Sequence, residues 1–279
     1  MKVKNLLDES QNKPSEPPRG EPIPIQVIAP WANIIVKIKI PDKIFDKLLE
    51  LYEHTMKDKR SFGTQLVGQI DDEPEVTQEM LQKFPEWTSF CMQAVEQFAR
   101  NQNEINFIGE EDKLQKLRSE NYMTKMNTMW FVNQKPGEYN PIHIHTNCKV
   151  SAICYLKTPK QQVKGRKDHY QSDGKVTFTN NTGTDLNFAN HQVSFEPKAG
   201  DFYIFGALQH HMVWPYRSAD PDDLRVSLSF NADVVTESAL KEQNEKYEMI
   251  YEDMKKHKQQ QSEVKDDKSA DVSNINKSR

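Results

Sequence analysis

The chain has 279 residues, 36% hydrophobic and 28% charged, with a formal net charge of −4. That balance holds no basic excess for coating a nucleic acid, and no run of roughly 18 apolar residues offers a membrane-spanning helix. Three cysteines, Cys91, Cys148 and Cys154, are too few for a disulfide framework. With no apolar signal segment in MKVKNLLDESQNKPSEPPRG, they predict a cytoplasmic protein in a reducing compartment.

Residues 1–24 are polar and contain Pro14, Pro17, Pro18, Pro22 and Pro24. Such a stretch buries too little apolar surface to offset its ordering entropy, so it reads as a mobile arm. Residues 25–121 are expected to form a strand and helices that pack on the core. Within them, Val36, Ile38 and Ile40 alternate with Lys37 and Lys39, the two-residue period of a strand. Pro41-Asp42 then opens a helix with Ile44, Leu48, Leu49, Leu51 and Tyr52 on or near one face, ending near Lys59. A second helical region covers about 77–104. Its stripe includes Met80, Leu81, Phe84, Trp87, Phe90, Val95 and Phe98, and Pro85 must break or kink it.

From 122 to 235 short β-prone runs alternate with turn residues, the texture of a sandwich or barrel. The runs are Met126–Val132, Lys149–Leu156, Lys175–Phe178, His191–Phe195, Asp201–Phe205, His211–Pro215 and Val226–Ala232. Thr236 caps a last helix over 236–253, which Leu240, Tyr247, Ile250 and Tyr251 dock on the body. Residues 254–279 are charged, lack a core-forming pattern and read as a disordered tail. The polar ends account for a mean hydropathy of −0.83.

Six of the eight histidines fall between 143 and 211. His169 reads as a loop residue and His191 stands alone. His143 and His145 are two apart, so on a strand their imidazoles share a face, and Ile144 turns toward the core. Two such imidazoles plus one from a neighbouring strand can hold a metal ion with positions left open for substrate. His211 or His210 can supply the third.

Downstream lie Pro197, Gly200 and Phe205, then His211 and Pro215, then Arg225-Val226-Ser227-Leu228-Ser229-Phe230-Asn231. Together with H-x-H, this pattern resembles the iron(II)/2-oxoglutarate-dependent oxygenases. More narrowly it resembles the family with an H-x-H metal strand found in marine bacteria and phages. The resemblance covers about 127–233, and Gly68-Gln69-Ile70 is similar to a family segment outside that range. It implies a mainly β fold with flanking helices, a double-stranded β-helix of jelly-roll, cupin-like form. It also implies Fe(II) held by His143, His145 and His211, and 2-oxoglutarate as cosubstrate. Arg225 then matches the clamp for its distal carboxylate, a guanidinium fork suited to that group. Ser227 shares that strand face, and Tyr155 matches a tyrosine that reaches the same carboxylate; filling the barrel is its other reading. Asn127 and Asn133 are weaker candidates.

The implied activity couples decarboxylation of 2-oxoglutarate to hydroxylation of an unidentified small molecule or protein side chain, with ascorbate as an accessory reductant. Nucleic acid and membrane are not implied as partners; homo-oligomerisation stays open. Two features depart from the wider superfamily. His145 stands where a carboxylate is usual, and Arg225 follows His211 by fourteen positions, a long interval that a turn at 218–223 would absorb. Arg217 is the alternative clamp. Lys164, Arg166 and Lys167, in the polar segment 160–174, would favour an acidic substrate if that segment reads it.

Two further readings remain. Gly137 followed by His143-x-His145 also opens a cupin motif, although no glutamate follows in 146–150. A non-enzymatic β-sandwich binding or structural module is the third reading.

Overall fold

The computed structural model describes residues 33–57, 60–160, 163, 172–180 and 191–275, with side chains to residue 256 of the last helix. The proposed arm, His169 and the Lys164, Arg166 and Lys167 cluster lie outside the described residues.

Among the described residues, nine strands form two antiparallel sheets. The larger has the order β1-β7-β4-β9-β2 and the smaller β3-β8-β5-β6. In sequence these are β1 Ile35–Lys39, β2 Tyr122–Gln134, β3 Asn140–His143, β4 Val150–Lys157, β5 Val176–Thr179, β6 Gln192–Phe195, β7 Asp201–Gly206, β8 His211–Val213 and β9 Arg225–Thr236. From β2 on, the chain passes back and forth between the sheets, which is the winding of a double-stranded β-helix. The fold is therefore the mainly β one with flanking helices that the sequence predicts.

Burial explains the strand patterns. The segment Ser151–Leu156 is buried throughout because helices cover one face of the large sheet and the small sheet covers the other. On the helix side, Ala152, Cys154, Phe202, Ile204, Leu228 and Phe230 pack with Leu48, Leu51, Trp87, Val95 and Phe98. On the inner side, Ile153, Tyr155, Val176, Phe178, Tyr203, Phe205 and Val213 form a second cluster. A strand covered on both faces reads as a continuous apolar run, whereas β1 at the sheet edge keeps its alternation. Trp87 is fully buried, and its truncation to alanine should cost about 3–5 kcal/mol.

The helices are α1 Asp42–Thr55, α2 Gln78–Lys83, α3 Pro85–Asn106, α4 Glu111–Ser119 and α5 Glu237–Ile275. Pro85 starts α3 at its first turn, where its missing N–H costs nothing. The expected break in the second helical region is thus a boundary between two helices. Three expectations are corrected. First, α1 ends at Thr55 rather than near Lys59. Second, α5 does not stop at 253 but continues to Ile275, so residues 254–275 of the stretch read as a disordered tail are helical. It is rich in residues of high helix propensity, and Glu242–Lys246 is an i,i+4 ion pair of the kind that supports a solvated helix. Third, Tyr247, Ile250 and Tyr251 do not dock α5 on the body: they are 61%, 56% and 67% exposed. The expected Thr236 cap is present, with its Oγ1 accepting from Ala239 N at 3.2 Å. No helix among the described residues is long and apolar enough to cross a membrane.

Candidate metal centre

Cross-strand pairing brings the histidines together. His143 ends β3 and His211 begins β8, and the two stand directly opposite each other in the antiparallel register. Their ring centroids are 4.2 Å apart. His145 lies beyond the strand end, where its backbone N–H donates to Ala207 O at 2.9 Å. One potential ligand atom from each of the three lies within 4.8 Å of the other two, and His145 Nε2 is 3.3 Å from His211 Nε2. Two nitrogens bound to one ion at about 2.1 Å, at angles near 90–110°, lie roughly 3.0–3.4 Å apart.

The tautomers suit this role. His143 Nδ1 faces Pro141 O at 2.7 Å and His211 Nδ1 faces Gln209 O at 2.9 Å. Each Nδ1–H donates to its carbonyl and leaves the Nε2 lone pair for an ion. Burial, the largest influence on all three, lowers their pKa values. His145 is held at about 4, with the charge of His143 adding, and His211 lies well below the ordinary range. Burial thus favours the neutral rings, the state a ligand needs. His210 is exposed, so it is His211 that faces inward. Ile144 does not turn into the core; it is 38% exposed and lines the cleft.

The cleft occupies about 1480 Å³ and holds the histidines together with Trp130, Val132, Phe205, Ser229 and Asn231. The other predicted residues, Arg225, Ser227 and Tyr155, are buried and are not part of the cleft's lining. Tyr155 stands opposite Ser227, and Arg225 stands opposite Gln134. Arg225 is 2% exposed. Its guanidinium donates to Gln134 Oε1, to Gly174 O and, at 3.4 Å, to Trp214 O. No carboxylate pairs with it among the described residues. Tyr155 Oη is buried without a hydrogen-bond partner, and burial pushes its pKa up against the opposing pull of Arg225. A buried cation beside an orphaned hydroxyl fits the end of a dicarboxylate.

Arg217 is half exposed and 3.4 Å from Asp173. Asn133 lies elsewhere, accepting from Tyr52 Oη and donating to Asp72. Asn127 does line the cleft. The sequence alone marks neither Gln134 nor Glu73; only the two-residue period of β2 places Gln134 on the inner face.

The fold is a double-stranded β-helix of cupin-like architecture, and the three imidazoles that converge in its cleft could hold a metal ion. Residues 128–231, from within β2 to within β9, match the profile of a family described as "Putative 2OG-Fe(II) oxygenase". That family's description names Fe(II) and 2-oxoglutarate, and the histidine triad can hold the iron. A prolyl-4-hydroxylase from Pseudomonas putida is similar at 18% identity, over 71% of this chain and 91% of its own, with a TM-score of 0.40. A prolyl hydroxylase from Trichoplax adhaerens, in complex with a hypoxia inducible factor peptide fragment, is similar at 12% identity over 72% and 82%, TM-score 0.43. The viral collagen prolyl hydroxylase of Paramecium bursaria Chlorella virus-1 is similar at 13% identity over 71% and 94%, TM-score 0.36. No curated protein matches the chain.

Proposed function

We propose that this protein is an iron(II)- and 2-oxoglutarate-dependent hydroxylase of the cytoplasm. The observation that carries the reading is the convergence of His143, His145 and His211 on one point, with a buried, carboxylate-free Arg225 between the same sheets. His143, His145 and His211 would hold the metal through Nε2. Arg225, Ser227 and Tyr155 would take the distal carboxylate of 2-oxoglutarate, Gln134 yielding its place on the guanidinium. Bound iron and cosubstrate would supply the oxidising chemistry. The protein's own part is to keep the imidazoles neutral, to fix their tautomers through Pro141 O and Gln209 O, and to bury the cosubstrate end away from water.

The test is direct. Purified protein should bind one Fe(II) per chain and release succinate from 2-oxoglutarate. Fe(II) should raise the unfolding temperature, since a ligand of the native state alone stabilises it by mass action, and His211→Ala should abolish that rise. No iron binding by the wild type would overturn the reading. Metal binding without any affinity for 2-oxoglutarate would favour the cupin alternative.

A further inference from the structure

The cleft has a second polar region that this chemistry leaves unused. Residues 72–76 run antiparallel along the free edge of β2. Val76 N donates to Met129 O at 2.9 Å, Phe131 N to Pro74 O at 2.8 Å, and Asn133 N to Asp72 O at 2.9 Å. In that register Glu73 stands beside Val132. The two-residue period puts its side chain on the face of Val132 and Trp130, the face turned toward the histidines. Glu73 is 2% exposed and lines the cleft, yet its Oε2 has no hydrogen-bond partner. Phe62 stacks on Trp130 at 5.2 Å, and Trp130 lies 6.2 Å from His145. The carboxyl therefore sits beside an aromatic wall that leads to the metal site.

Three more buried oxygens of the lining are unpartnered: Asn127 Oδ1, Thr128 Oγ1 and Asn231 Oδ1. Asn127 Nδ2 donates to Asn147 O and Asp233 Oδ2, which fixes Oδ1 as an acceptor. Of the lining's acidic side chains, Glu96 is paired with Arg100 at 2.8 Å, Asp233 accepts from Asn127, and Glu73 keeps an unpartnered oxygen. The cleft thus offers hydrogen-bond acceptors, and its aromatic faces attract cations.

We propose that Glu73, with Trp130 and Phe62, forms a subsite for the cationic end of the substrate, an ammonium or guanidinium group. The substrate chain then runs from Glu73 past Trp130 toward the histidines. Oxidation of that chain rests on the oxygenase reading; the binding does not. Burial, reinforced by the charge of Glu138, pushes the Glu73 carboxyl up to about 7. An entering cation would supply the partner it lacks and draw off its proton.

The experiment titrates protein loaded with Fe(II) and 2-oxoglutarate, without oxygen, by calorimetry. The probes are L-lysine, L-arginine, Gly-Lys-Gly and Gly-Arg-Gly, each against its neutral counterpart built on norleucine or citrulline. At least one cationic probe should bind tenfold or more tightly than its neutral counterpart, and Glu73→Gln should cut that preference below threefold. The free and peptide arms tell an amino acid from a polypeptide residue. Equal binding of charged and neutral probes, no binding of any probe, or an undiminished preference in Glu73→Gln would each overturn the proposal. The wild-type comparison decides even if the variant does not fold. Affinity for 2-oxoglutarate is read on the same samples, so its absence beside a clear cation preference would sink the oxygenase reading and leave the subsite standing.

Discussion

Tyr155 and Arg225 answer differently to substitution. Arg225 holds Gln134, Gly174 O and Trp214 O in place, so Arg225→Ala would strip three acceptors of a buried donor and confound a fold defect with a binding defect. Tyr155 Oη bonds to nothing in the described protein. Tyr155→Phe should therefore stabilise the cofactor-free protein by about 1 kcal/mol, because a buried unsatisfied hydroxyl disappears. It should also weaken 2-oxoglutarate roughly tenfold, the worth of one hydrogen bond to a charged group. Denaturation and cosubstrate titration on the same variant check both signs; loss of stability without loss of affinity would mean that the ring only fills the barrel. His145 takes a parallel test. His145→Ala should weaken metal binding by more than the roughly 10–100-fold that loss of a supporting group costs, and His145→Asp should restore it, as measured by metal titration.

At the scale of elements, what could be read from the chain depended on whether tertiary pairing or local pattern makes the element. β4 and β7 declare themselves by apolar runs bounded by turns, and β9 by the alternation of Val226, Leu228, Phe230 and Ala232 with polar residues. β3 does not, because Pro141 argues against a strand; it is admissible there because β3 is the edge of the small sheet. α4 went unpredicted although Glu111 and Asp112 lie in its first turn and Lys116 and Arg118 in its last, the charge order that favours a helix. Only Leu114 of it is buried, which leaves almost no apolar period to find. The histidines were legible because spacing and flanking residues both mark them. Glu73, in the run DDEPE, looks like solvated loop, and only its pairing along β2 buries it. α5 carries the opposite lesson. Its apolar residues Tyr247, Ile250, Tyr251 and Met254 are all more than half exposed, and its ties to the body lie at its start, where Glu237 N donates to Asn121 O and Ser238 meets Glu120. Removing residues 255–279 should move the unfolding temperature by less than about 2 °C. A larger drop in a thermal melt would show that residues 255–279 make stabilising contacts in solution.

Taken whole, the molecule spends stability to keep an acid where none is needed for folding. The two sheets and their helix layer are closed by apolar packing, while Glu73 is buried without a partner for Oε2. Its pKa rises from 4.5 to about 7, through burial first and the charge of Glu138 second. Below pH 4.5 both folded and unfolded chains hold the proton, and nothing is lost. Between 4.5 and 7 the unfolded chain releases it while the folded chain retains it, so stability falls as pH rises, levelling off above 7. Glu73→Gln has no such dependence. The variant should be more stable than the wild type at pH 8 by on the order of 1 kcal/mol, after allowance for solvent screening. The difference should shrink to nothing near pH 4. Urea denaturation of both metal-free proteins at pH 8, 6 and 4 measures it, with the histidines contributing equally to each. A wild type that instead gains on the variant as pH rises would mean that Glu73 is ionised and paired in the fold, and the cationic subsite would lose the vacancy it depends on.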